Sequence, residues 1–468
     1  MIALSLAEIA EIVGGQSYDI PDPAATVSGP VVMDSREVKQ GSLFVAFTGE
    51  RVDGHDFAQG AVEAGAAAVL AARPVGVPAI VVDDVVAALG ALARAVVGRL
   101  GTTVVALTGS AGKTSTKDLI AQLLERKGPT VYPAGNLNNE IGLPLTALRA
   151  TEDTQHLVLE MGARYIGDIR YLTGLVPPRI GLVLNVGTAH IGEFGGREQI
   201  AEAKGEMVEA LPEDGLAVLN ADDPLVRAMS SRTKARVLLF GEAAEADVRG
   251  ENVRLTDDGR PAFKLHTPTG CSDVTMRLYG EHHVSNALAA AAVAHELGLS
   301  ADEIAEGLSE AGTLSRWRME VTERPDGVTI VNDAYNANPE SMRAALRALA
   351  AMGKGRRTWA VLGPMAELGD ASLAEHDAVG RLAVRLNVSK LVAVGGREAS
   401  WLQLGAYNEG SWGEESVHVS DAQAAVDLLR SELRPGDVVL VKASRSVGLE
   451  QVAMALLGNA SEGEVAGR

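Results

Sequence analysis

The sequence predicts an α/β protein of three domains, and three observations lead to this prediction. The chain has 468 residues, which is too long for one ordinary hydrophobic core and suggests about three domains. Apolar runs typical of buried strands alternate with longer stretches typical of helices, which indicates mainly parallel sheets. Alanine and glycine are plentiful and aromatic residues make up only 4% of the chain, which suits helices packed closely on a parallel sheet.

The first domain is expected over residues 1–100 as a small α/β unit. Ser5 can cap a short amphipathic helix that ends at the glycine pair 14–15. Strand-like runs follow this helix, and two alanine-rich helical stretches surround the last of them. The predicted strands are Val31–Val32, Leu43–Phe47 and Ala79–Val82.

The central domain is expected over residues 101–314 and begins with a strand, a glycine-rich loop and a helix. The strand covers 104–107, the loop 109–112, and the helix 114–127, which Gly128-Pro129 stops. A turn at 257–259 indicates a hairpin after the parallel strands, and a helix at 284–297 closes the domain. The other predicted strands are His156–Glu160, Ile180–Val186, Gly215–Asn220 and Arg236–Phe240.

A third α/β domain is expected over residues 315–468. Each of its predicted strands is followed by a loop and a helix, as in a parallel sheet. These strands are Val328–Asn332, Thr358–Leu362, Leu391–Val394 and Val438–Lys442.

The charge balance excludes one class of function. The 42 Lys and Arg residues against 61 Asp and Glu residues give a formal net charge of −19. Because a nucleic-acid-binding surface needs a basic patch, we expect no nucleic-acid partner. The same field disfavours anionic substrates, so local Lys and Arg side chains must overcome it at any phosphate site.

Cysteine usage and hydropathy indicate a cytoplasmic protein. Cys271 is the only cysteine, so no internal disulfide can form. The chain opens with no basic-then-apolar leader, and no apolar run approaches the roughly 20 residues of a membrane span. We therefore expect a cytoplasmic protein without a membrane span, and we take a monomer as its expected state.

The segment between the first central strand and its helix predicts an ATP site. Glycines let the backbone curl so that its N–H groups and the helix N-terminus face phosphate oxygens. The lysine would neutralise the β- and γ-phosphates, and the threonine hydroxyl would ligate Mg²⁺. A strict Walker loop has glycine where Leu107 stands, so this is the shorter G-x-x-G-K-T form. The residues expected at the nucleotide are Gly109, Ser110, Ala111, Gly112, Lys113, Thr114 and Ser115.

Two further polar residues follow strand ends of the same predicted sheet. Glu160 ends one strand, and ligands gather at the carboxyl ends of strands in an open parallel sheet. A carboxylate there suits Mg²⁺, either as a direct ligand or through an intermediate group. His190 lies just past another strand end, although a single loop histidine is more often hydrogen-bonded locally than bound to a metal.

Together these motifs resemble the Mur ligase family. The phosphate loop, Glu160, His190 and the helical segment 200–206 look like the central domain of those enzymes. Four more stretches extend the resemblance over nearly the whole chain in the expected order, and they are most similar to the family member that adds D-alanyl-D-alanine. These stretches are Asp34-Ser35-Arg36, Thr48–His55, Gly135–Glu140 and Asn332–Pro339.

The resemblance implies a role for each domain. The first domain would bind the UDP-sugar, the central mononucleotide-binding domain would be the ATPase, and the last, with a Rossmann-like fold, would close over the nucleotide. Asn286 would lie at the adenine, Asp333 would accept hydrogen bonds from the ribose hydroxyls, and Arg316 or Arg318 would reach the phosphates. The implied substrate-binding residues are Ser35, Arg36, Asn136, Asn138 and Asn139.

The resemblance also implies a site for two Mg²⁺ ions. Its ligands would be Thr114, Glu160, His190 and Lys204, and the implied catalytic set is Lys113, Glu160, His190 and Lys204. Because a lysine cation would be repelled by a metal, we expect Lys204 to be carbamylated by CO₂, which gives an anionic oxygen ligand. The alternative is an ordinary cation paired with Glu160 or a phosphate.

The third domain departs from the family pattern at two positions. Pro364 stands where aspartate is common, and Ala443 stands where glycine is common. Neither change touches the implied catalytic residues. Lys442 and Arg445 are candidate charge partners for the substrate, and a structural role for them is an equal alternative.

The implied reaction is ATP-driven amide ligation through an acyl phosphate. The carboxylate would end UDP-N-acetylmuramoyl-tripeptide, and the amine would belong to D-alanyl-D-alanine. The sequence leaves open whether the third residue of the tripeptide is lysine or diaminopimelate.

Three rival classes fit the sequence less well. A phosphate-loop kinase needs no UDP-sugar domain. Folylpolyglutamate synthase shares the ligase core, but the stretches at 34–36 and 53–55 argue against it. A non-catalytic scaffold would require loss of the metal ligands, and Glu160, His190 and Lys204 are all present.

Overall fold

The computed structural model of the chain describes residues 1–49, 52–188 and 191–458. It confirms the predicted α/β class, because each of the three parts of the chain builds a largely parallel sheet with helices packed on it. Within the described residues, no helix is both long and apolar enough to cross a membrane.

The first domain carries a small mixed sheet in the strand order β2-β7-β6-β5-β4, in which only β2 runs antiparallel. Ser5 caps α1 as the sequence predicts, since its hydroxyl accepts the Glu8 N–H and the Glu8 carboxylate accepts the Ser5 N–H. The elements are β1 Leu4–Ser5, α1 Leu6–Val13, β2 Gln16–Tyr18, β3 Thr26–Val27, β4 Val31–Val32, β5 Leu43–Val45, α2 Ala58–Glu63, β6 Ala68–Ala71, β7 Ala79–Val81 and α3 Val85–Gly98.

The central domain is built on a long sheet in the order β16-β15-β14-β13-β12-β11-β8-β10-β9. The strands from β9 to β14 pair in parallel, and β14 to β16 form an antiparallel extension. The strands are β8 Thr103–Thr108, β9 Thr130–Val131, β10 His156–Glu160, β11 Ile180–Val183, β12 Leu216–Asn220, β13 Arg236–Gly241, β14 Val248–Leu255, β15 Pro261–Thr267 and β16 Gly270–Thr275. The helices are α4 Lys113–Glu125, α5 Gly142–Ala147, α6 Asp168–Leu175, α7 Ile191–Phe194, α8 Arg197–Glu209, α9 Pro224–Ala228, α10 His282–Glu296 and α11 Ala301–Glu310.

Both faces of the central sheet are buried, which explains why its strands are continuous apolar runs rather than alternating ones. Successive residues of β8 enter opposite cores: Val104 and Ala106 pack on one face, and Val105 and Leu107 on the other. The first of these cores also contains α3 of the first domain. The first and central domains are therefore joined by continuous apolar packing.

The third domain has a sheet in the order β17-β18-β22-β19-β20-β21, parallel except for the edge strand β17. Its alternation of strand and helix gives the Rossmann-like arrangement that the resemblance implies. The elements are β17 Glu320–Glu323, β18 Thr329–Asn332, α12 Pro339–Met352, β19 Thr358–Leu362, α13 Ser372–Arg385, β20 Lys390–Val394, α14 Arg397–Asn408, β21 Ser416–Val419, α15 Ala422–Glu432, β22 Val438–Lys442 and α16 Glu450–Leu457.

Some strands end earlier than the apolar runs suggest. The predicted strand at 180–186 ends at Val183, because the residues after it turn toward the loop that follows β8. Asn185 causes this turn: its Oδ1 accepts the Ala111 N–H at 2.9 Å, and its Nδ2 donates to the Ala111 carbonyl at 3.0 Å. Strand β5 likewise ends at Val45, two residues before the predicted Phe47.

Candidate active site

The loop between β8 and α4 curls tightly and is held by its neighbours. The Lys113 Nζ donates to the Gly109 carbonyl at 2.7 Å, which closes the loop across its own width. Gly112 has a φ of 80°, in the left-handed region that favours glycine. A Cβ at Gly112 would also lie 2.5 Å from the Asn286 Oδ1, so no larger residue fits. Burial lowers the pKa of Lys113. The negative charge of Glu160 opposes this shift, and the positive charge of Arg318 adds to it.

Glu160 lies beside this loop because β10 is the neighbour of β8 in the sheet. Glu160 is 2% exposed. The Thr114 hydroxyl donates to its Oε2 at 2.9 Å, and the Asn138 amide donates to its Oε1 at 2.8 Å. The structure therefore joins two of the expected metal ligands, and it places Asn138, expected at the substrate, against Glu160. A buried carboxylate beside a hydroxyl is a donor set that suits Mg²⁺.

Lys204 is buried in α8, with 4% of its surface exposed. Burial is the main cause that holds the pKa of Lys204 well below its usual value, and the nearby positive charge of Lys113 lowers it further. His190 lies outside the described residues. Among the residues that are described, no three His, Cys, Asp or Glu side chains converge on one point.

The third domain reaches the loop through one of the two candidate arginines. The Arg318 guanidinium donates to the Thr114 hydroxyl at 3.2 Å and lies 4.3 Å from the Tyr335 ring centroid, a cation–π distance. Arg316 is exposed. The Tyr335 hydroxyl in turn donates to the Asn136 Oδ1 of the central domain. Of the two candidate arginines, the structure brings Arg318 to the phosphate loop.

Asp333, expected at the ribose, is buried at the end of β18. Its Oδ1 accepts the Met319 N–H at 3.0 Å, and its Oδ2 accepts from the Lys442 ammonium at 2.7 Å. Lys442 is 2% exposed. This burial lowers the pKa of Lys442, although the negative charge of Asp333 acts in the opposite direction. Lys442 therefore pairs with Asp333 inside the third domain.

Asn286 and the adjacent histidines lie behind the loop on α10. Asn286 accepts a hydrogen bond from the Thr116 hydroxyl at 3.2 Å. His282 and His283 have ring centroids 4.3 Å apart, and burial lowers the pKa of His282 to about 4. Ser115 and His283 line the same small cavity, together with Arg318.

The remaining expected substrate residues make their described hydrogen bonds to residues outside the loop. Arg36 belongs to the first domain, its side chain is 74% exposed, and its guanidinium binds the Asp34 carboxylate through distances of 2.5–3.1 Å. Ser35 begins the short 3₁₀ turn that Asp34 caps. The Asn139 Oδ1 accepts the Gly142 N–H at 2.9 Å and so fixes the turn before α5.

Sequence reasoning missed two residues that organise the site. Asn185 locks the loop through paired hydrogen bonds with Ala111, and Glu340 of the third domain bonds to Thr188. Asn185 lies in the stretch that leads to His190, which follows a predicted strand end. The sequence could therefore have indicated Asn185 as a site residue. Glu340 carries no such signal, because an acidic residue in a first helical turn is ordinarily explained by the helix dipole.

The fold and the loop define an α/β nucleotide-binding enzyme whose third domain covers the phosphate site. Three family descriptions match successive parts of the chain: "Mur ligase family, catalytic domain" over 30–97, "Mur ligase middle domain" over 107–294, and "Mur ligase, glutamate ligase domain" over 317–445. The chain belongs to the Mur ligase family.

Within that family, the similarity concentrates on one named enzyme. The UDP-N-acetylmuramoyl-tripeptide–D-alanyl-D-alanine ligase of Mycobacterium tuberculosis (strain ATCC 25618 / H37Rv) is 51% identical over 99% of this chain and 100% of its own length. A crystal structure of MurF from Acinetobacter baumannii matches with a TM-score of 0.86 and 33% identity, over 97% of this chain and 99% of that one. MurF ligase from Thermotoga maritima in complex with ADP matches with a TM-score of 0.79 and 32% identity, over 93% and 99% of the two chains.

Proposed function

We propose that this chain is an ATP-dependent ligase that joins D-alanyl-D-alanine to UDP-N-acetylmuramoyl-tripeptide and so makes the UDP-MurNAc-pentapeptide precursor of peptidoglycan. The observation that carries the proposal is the 51% identity, over the full length, to a ligase of that name. The loop at 109–115, with the buried Glu160 beside Thr114, supports it independently. A relative solved with ADP supports the nucleotide.

The chemistry follows from the poor reactivity of a carboxylate toward an amine. A terminal carboxylate oxygen of the tripeptide attacks the γ-phosphorus of ATP, which gives ADP and an acyl phosphate. The amine nitrogen of D-alanyl-D-alanine then attacks the acyl carbon, the C–O bond to phosphate breaks, and the nitrogen loses a proton. An amide and inorganic phosphate result.

The residues around the loop position the phosphates and neutralise their charge. The loop N–H groups and the N-terminus of α4 offer donors to phosphate oxygens, while Lys113 and Arg318 supply positive charge near Thr114. When bound, Mg²⁺ supplies further charge neutralisation on the phosphate oxygens. Thr114 and Glu160 would hold it, together with His190 and Lys204.

The other expected contacts belong to the same proposal. Ser35 and Arg36 would hold the UDP-sugar, with Asn136, Asn138 and Asn139 nearer the peptide. Asn286 would contact the adenine and Asp333 the ribose, where either Asp333 oxygen can accept a second hydrogen bond beside its present partner. A cytoplasmic location and a monomeric state stay predictions.

We also propose that Lys204 is carbamylated. Carbamylation needs a neutral amine, and the lowered pKa of the buried Lys204 makes the neutral form accessible. In the reaction, the amine nitrogen attacks the carbon of CO₂ and releases one proton. The product is an anionic oxygen ligand on a long side chain, which suits Mg²⁺.

The substitution Lys204→Ala tests the carbamate. We expect the variant to lose most activity, and a short-chain carboxylic acid added to the assay to restore part of it, because the acid replaces the missing anionic oxygens. Wild-type protein kept free of carbonate should lose activity and regain it when bicarbonate is added. Full activity without carbonate would show that Lys204 acts as an ordinary amine.

ADP release tests the proposed function itself. The purified chain should release ADP in step with amide formation only when ATP, UDP-MurNAc-tripeptide and D-alanyl-D-alanine are all present. Parallel assays with tripeptides ending in lysine and in diaminopimelate would identify the preferred acceptor. Steady ADP release with a folate and glutamate in place of these substrates would identify a folylpolyglutamate synthase. ADP release with no acceptor would indicate a simple ATPase.

A further inference from the structure

The first turn of α12 brings an acidic side chain of the third domain into the central domain. Glu340 is the second residue of this helix. Its Oε1 accepts the Thr188 N–H at 2.8 Å and the Thr188 hydroxyl at 2.7 Å. These hydrogen bonds cross between residues 152 positions apart in the chain. One oxygen of Glu340 thus fixes both the backbone and the side chain of Thr188.

Thr188 belongs to a segment that is already fastened to the phosphate loop. The Gly187 N–H donates to the Ser110 hydroxyl at 2.9 Å, and Asn185 is paired with Ala111. A Cβ at Gly187 would lie 2.9 Å from the Glu340 carboxyl carbon and 3.2 Å from the Ser110 Cβ. The segment 185–188 is therefore packed between the phosphate loop on one side and Glu340 on the other.

Glu340 is not needed to cap its own helix. Asn338 is the N-cap, with its Oδ1 accepting the Ser341 N–H at 2.8 Å and its own N–H donating to the Ser341 hydroxyl. The second oxygen of Glu340 is buried and has no hydrogen-bond partner among the described residues. A buried, half-satisfied carboxylate is costly, and the hydrogen bonds that Glu340 makes to described residues go to Thr188 rather than to its own helix.

We infer that Glu340 is a positioning residue that couples docking of the third domain to the placement of the segment 185–188, and through Ser110 and Ala111 to the shape of the phosphate loop. The inference rests on the proposed function, since it takes the loop at 109–115 as the phosphate site named there. When the third domain docks, the Glu340 carboxylate fixes Thr188, and the same segment holds the phosphate loop. Docking and the ordering of the phosphate site are then one event.

The substitution Glu340→Ala tests this coupling, with Glu340→Gln as the conservative variant. Glutamine keeps a carbonyl oxygen that can accept both Thr188 hydrogen bonds, whereas alanine removes them. We expect Glu340→Ala to lower kcat by about 10²-fold, the order of loss that small misplacements cause, with the KM for UDP-MurNAc-tripeptide unchanged. Glu340→Gln should keep most of the wild-type kcat.

A readout that does not depend on turnover is the binding of Mn²⁺ in the presence of ADP, followed by electron paramagnetic resonance. We expect weaker Mn²⁺ binding for Glu340→Ala and near wild-type binding for Glu340→Gln. Glu375→Ala is the matched control, because Glu375 binds Arg343 of the same helix and lies within the third domain. It should change neither kcat nor Mn²⁺ binding.

A second variant separates coupling from a simple loss of folding. Thr188→Val removes only the hydroxyl donor, so Thr188→Val and Glu340→Ala should be non-additive in kcat when they are combined. Wild-type kcat and Mn²⁺ affinity in a folded Glu340→Ala protein, or strictly additive effects in the double variant, would overturn the inference. Failure of the wild-type protein to release ADP with both substrates would instead overturn the proposed function.

Discussion

Among single residues, Lys113 combines two roles that are hard to separate by inspection. Its ammonium closes the loop through the Gly109 carbonyl and also supplies a positive charge that interacts with Glu160 and Lys204. Burial already lowers its pKa, and a bound polyphosphate would favour the charged form. The charged form of Lys113 is therefore favoured where phosphate charge must be neutralised.

We predict that Lys113→Ala abolishes measurable ligation and leaves the fold intact. Removing one group that stabilises charge in a transition state typically costs on the order of 10²–10³ in rate. Steady-state turnover and circular dichroism of the purified variant would check this. A folded variant with near-normal turnover would show that the nucleotide does not bind at this loop.

We expect His282 to make the stability of the protein depend on pH. Burial lowers its folded pKa to about 4, although Asp333 opposes this shift, whereas the unfolded value is about 6.5. Between these values the unfolded chain binds a proton that the folded chain does not. We therefore predict that the free energy of unfolding falls as the pH drops from about 6.5 to about 4.

Urea unfolding over that pH range is the measurement for His282. The variant His282→Gln should show a flatter dependence on pH, because it has no imidazole to protonate. An equal slope in the wild type and the variant would assign the acid sensitivity to other groups.

Among the elements, helix α4 connects the phosphate loop to the linker that enters the third domain. Lys117 is 1% exposed, and its ammonium lies 2.7 Å from the Asp118 carboxylate and 2.9 Å from the Pro133 carbonyl. Asp118 in turn accepts the Ser315 N–H at 3.0 Å. One turn further, Gln122 bonds to the backbone of Gly312 in both directions. The helix thus holds the linker along its length.

We predict that Lys117→Met destabilises the protein by about 3–5 kcal/mol, the usual cost of removing one partner of a buried ion pair. The control is Lys234→Met, because Lys234 pairs with Glu213 at a site where both side chains are more than three-quarters exposed. Such a pair contributes about 0–1 kcal/mol. Equal unfolding free energies for the two variants would contradict a structural role for Lys117.

The sequence predicted the elements that are defined by local patterns. The helix cap at Ser5 and the apolar runs of the parallel strands are confirmed, because each depends on neighbours within a few residues. The predicted end of β11 was wrong by three residues, because Asn185 lies outside the strand and bonds with Ala111, 74 positions away. The contacts of Glu340 and Lys117 were missed for the same reason: they join distant segments.

At the scale of the whole molecule, polar contacts join the third domain to the central domain around the phosphate loop. Among the described residues they include the Asn338 amide on the Ser110 carbonyl at 3.4 Å, Glu340 on Thr188, and an Arg164–Glu367 ion pair at 3.2 Å whose Arg164 side chain is 63% exposed. Interfaces of this kind within one chain commonly open and close. An acyl phosphate must be kept from water, so closure has a chemical purpose here.

We predict that the domains close when substrates bind. Small-angle scattering of the unliganded protein and of the protein with nucleotide and UDP-MurNAc-tripeptide should show a smaller radius of gyration in the second case. The first and central domains share one apolar core, so the third domain should account for the change. An unchanged radius of gyration would mean that the third domain stays docked throughout.

In the proposed reaction, ligation proceeds by phosphorylation of the tripeptide carboxylate at the 109–115 loop. This step can be followed with UDP-MurNAc-tripeptide in which both oxygens of the terminal carboxylate are ¹⁸O, together with ATP and D-alanyl-D-alanine. Mass spectrometry should find one ¹⁸O in each inorganic phosphate released, and the other in the new amide carbonyl. Inorganic phosphate without ¹⁸O, alongside normal yield of the amide, would show that the carboxylate is not phosphorylated.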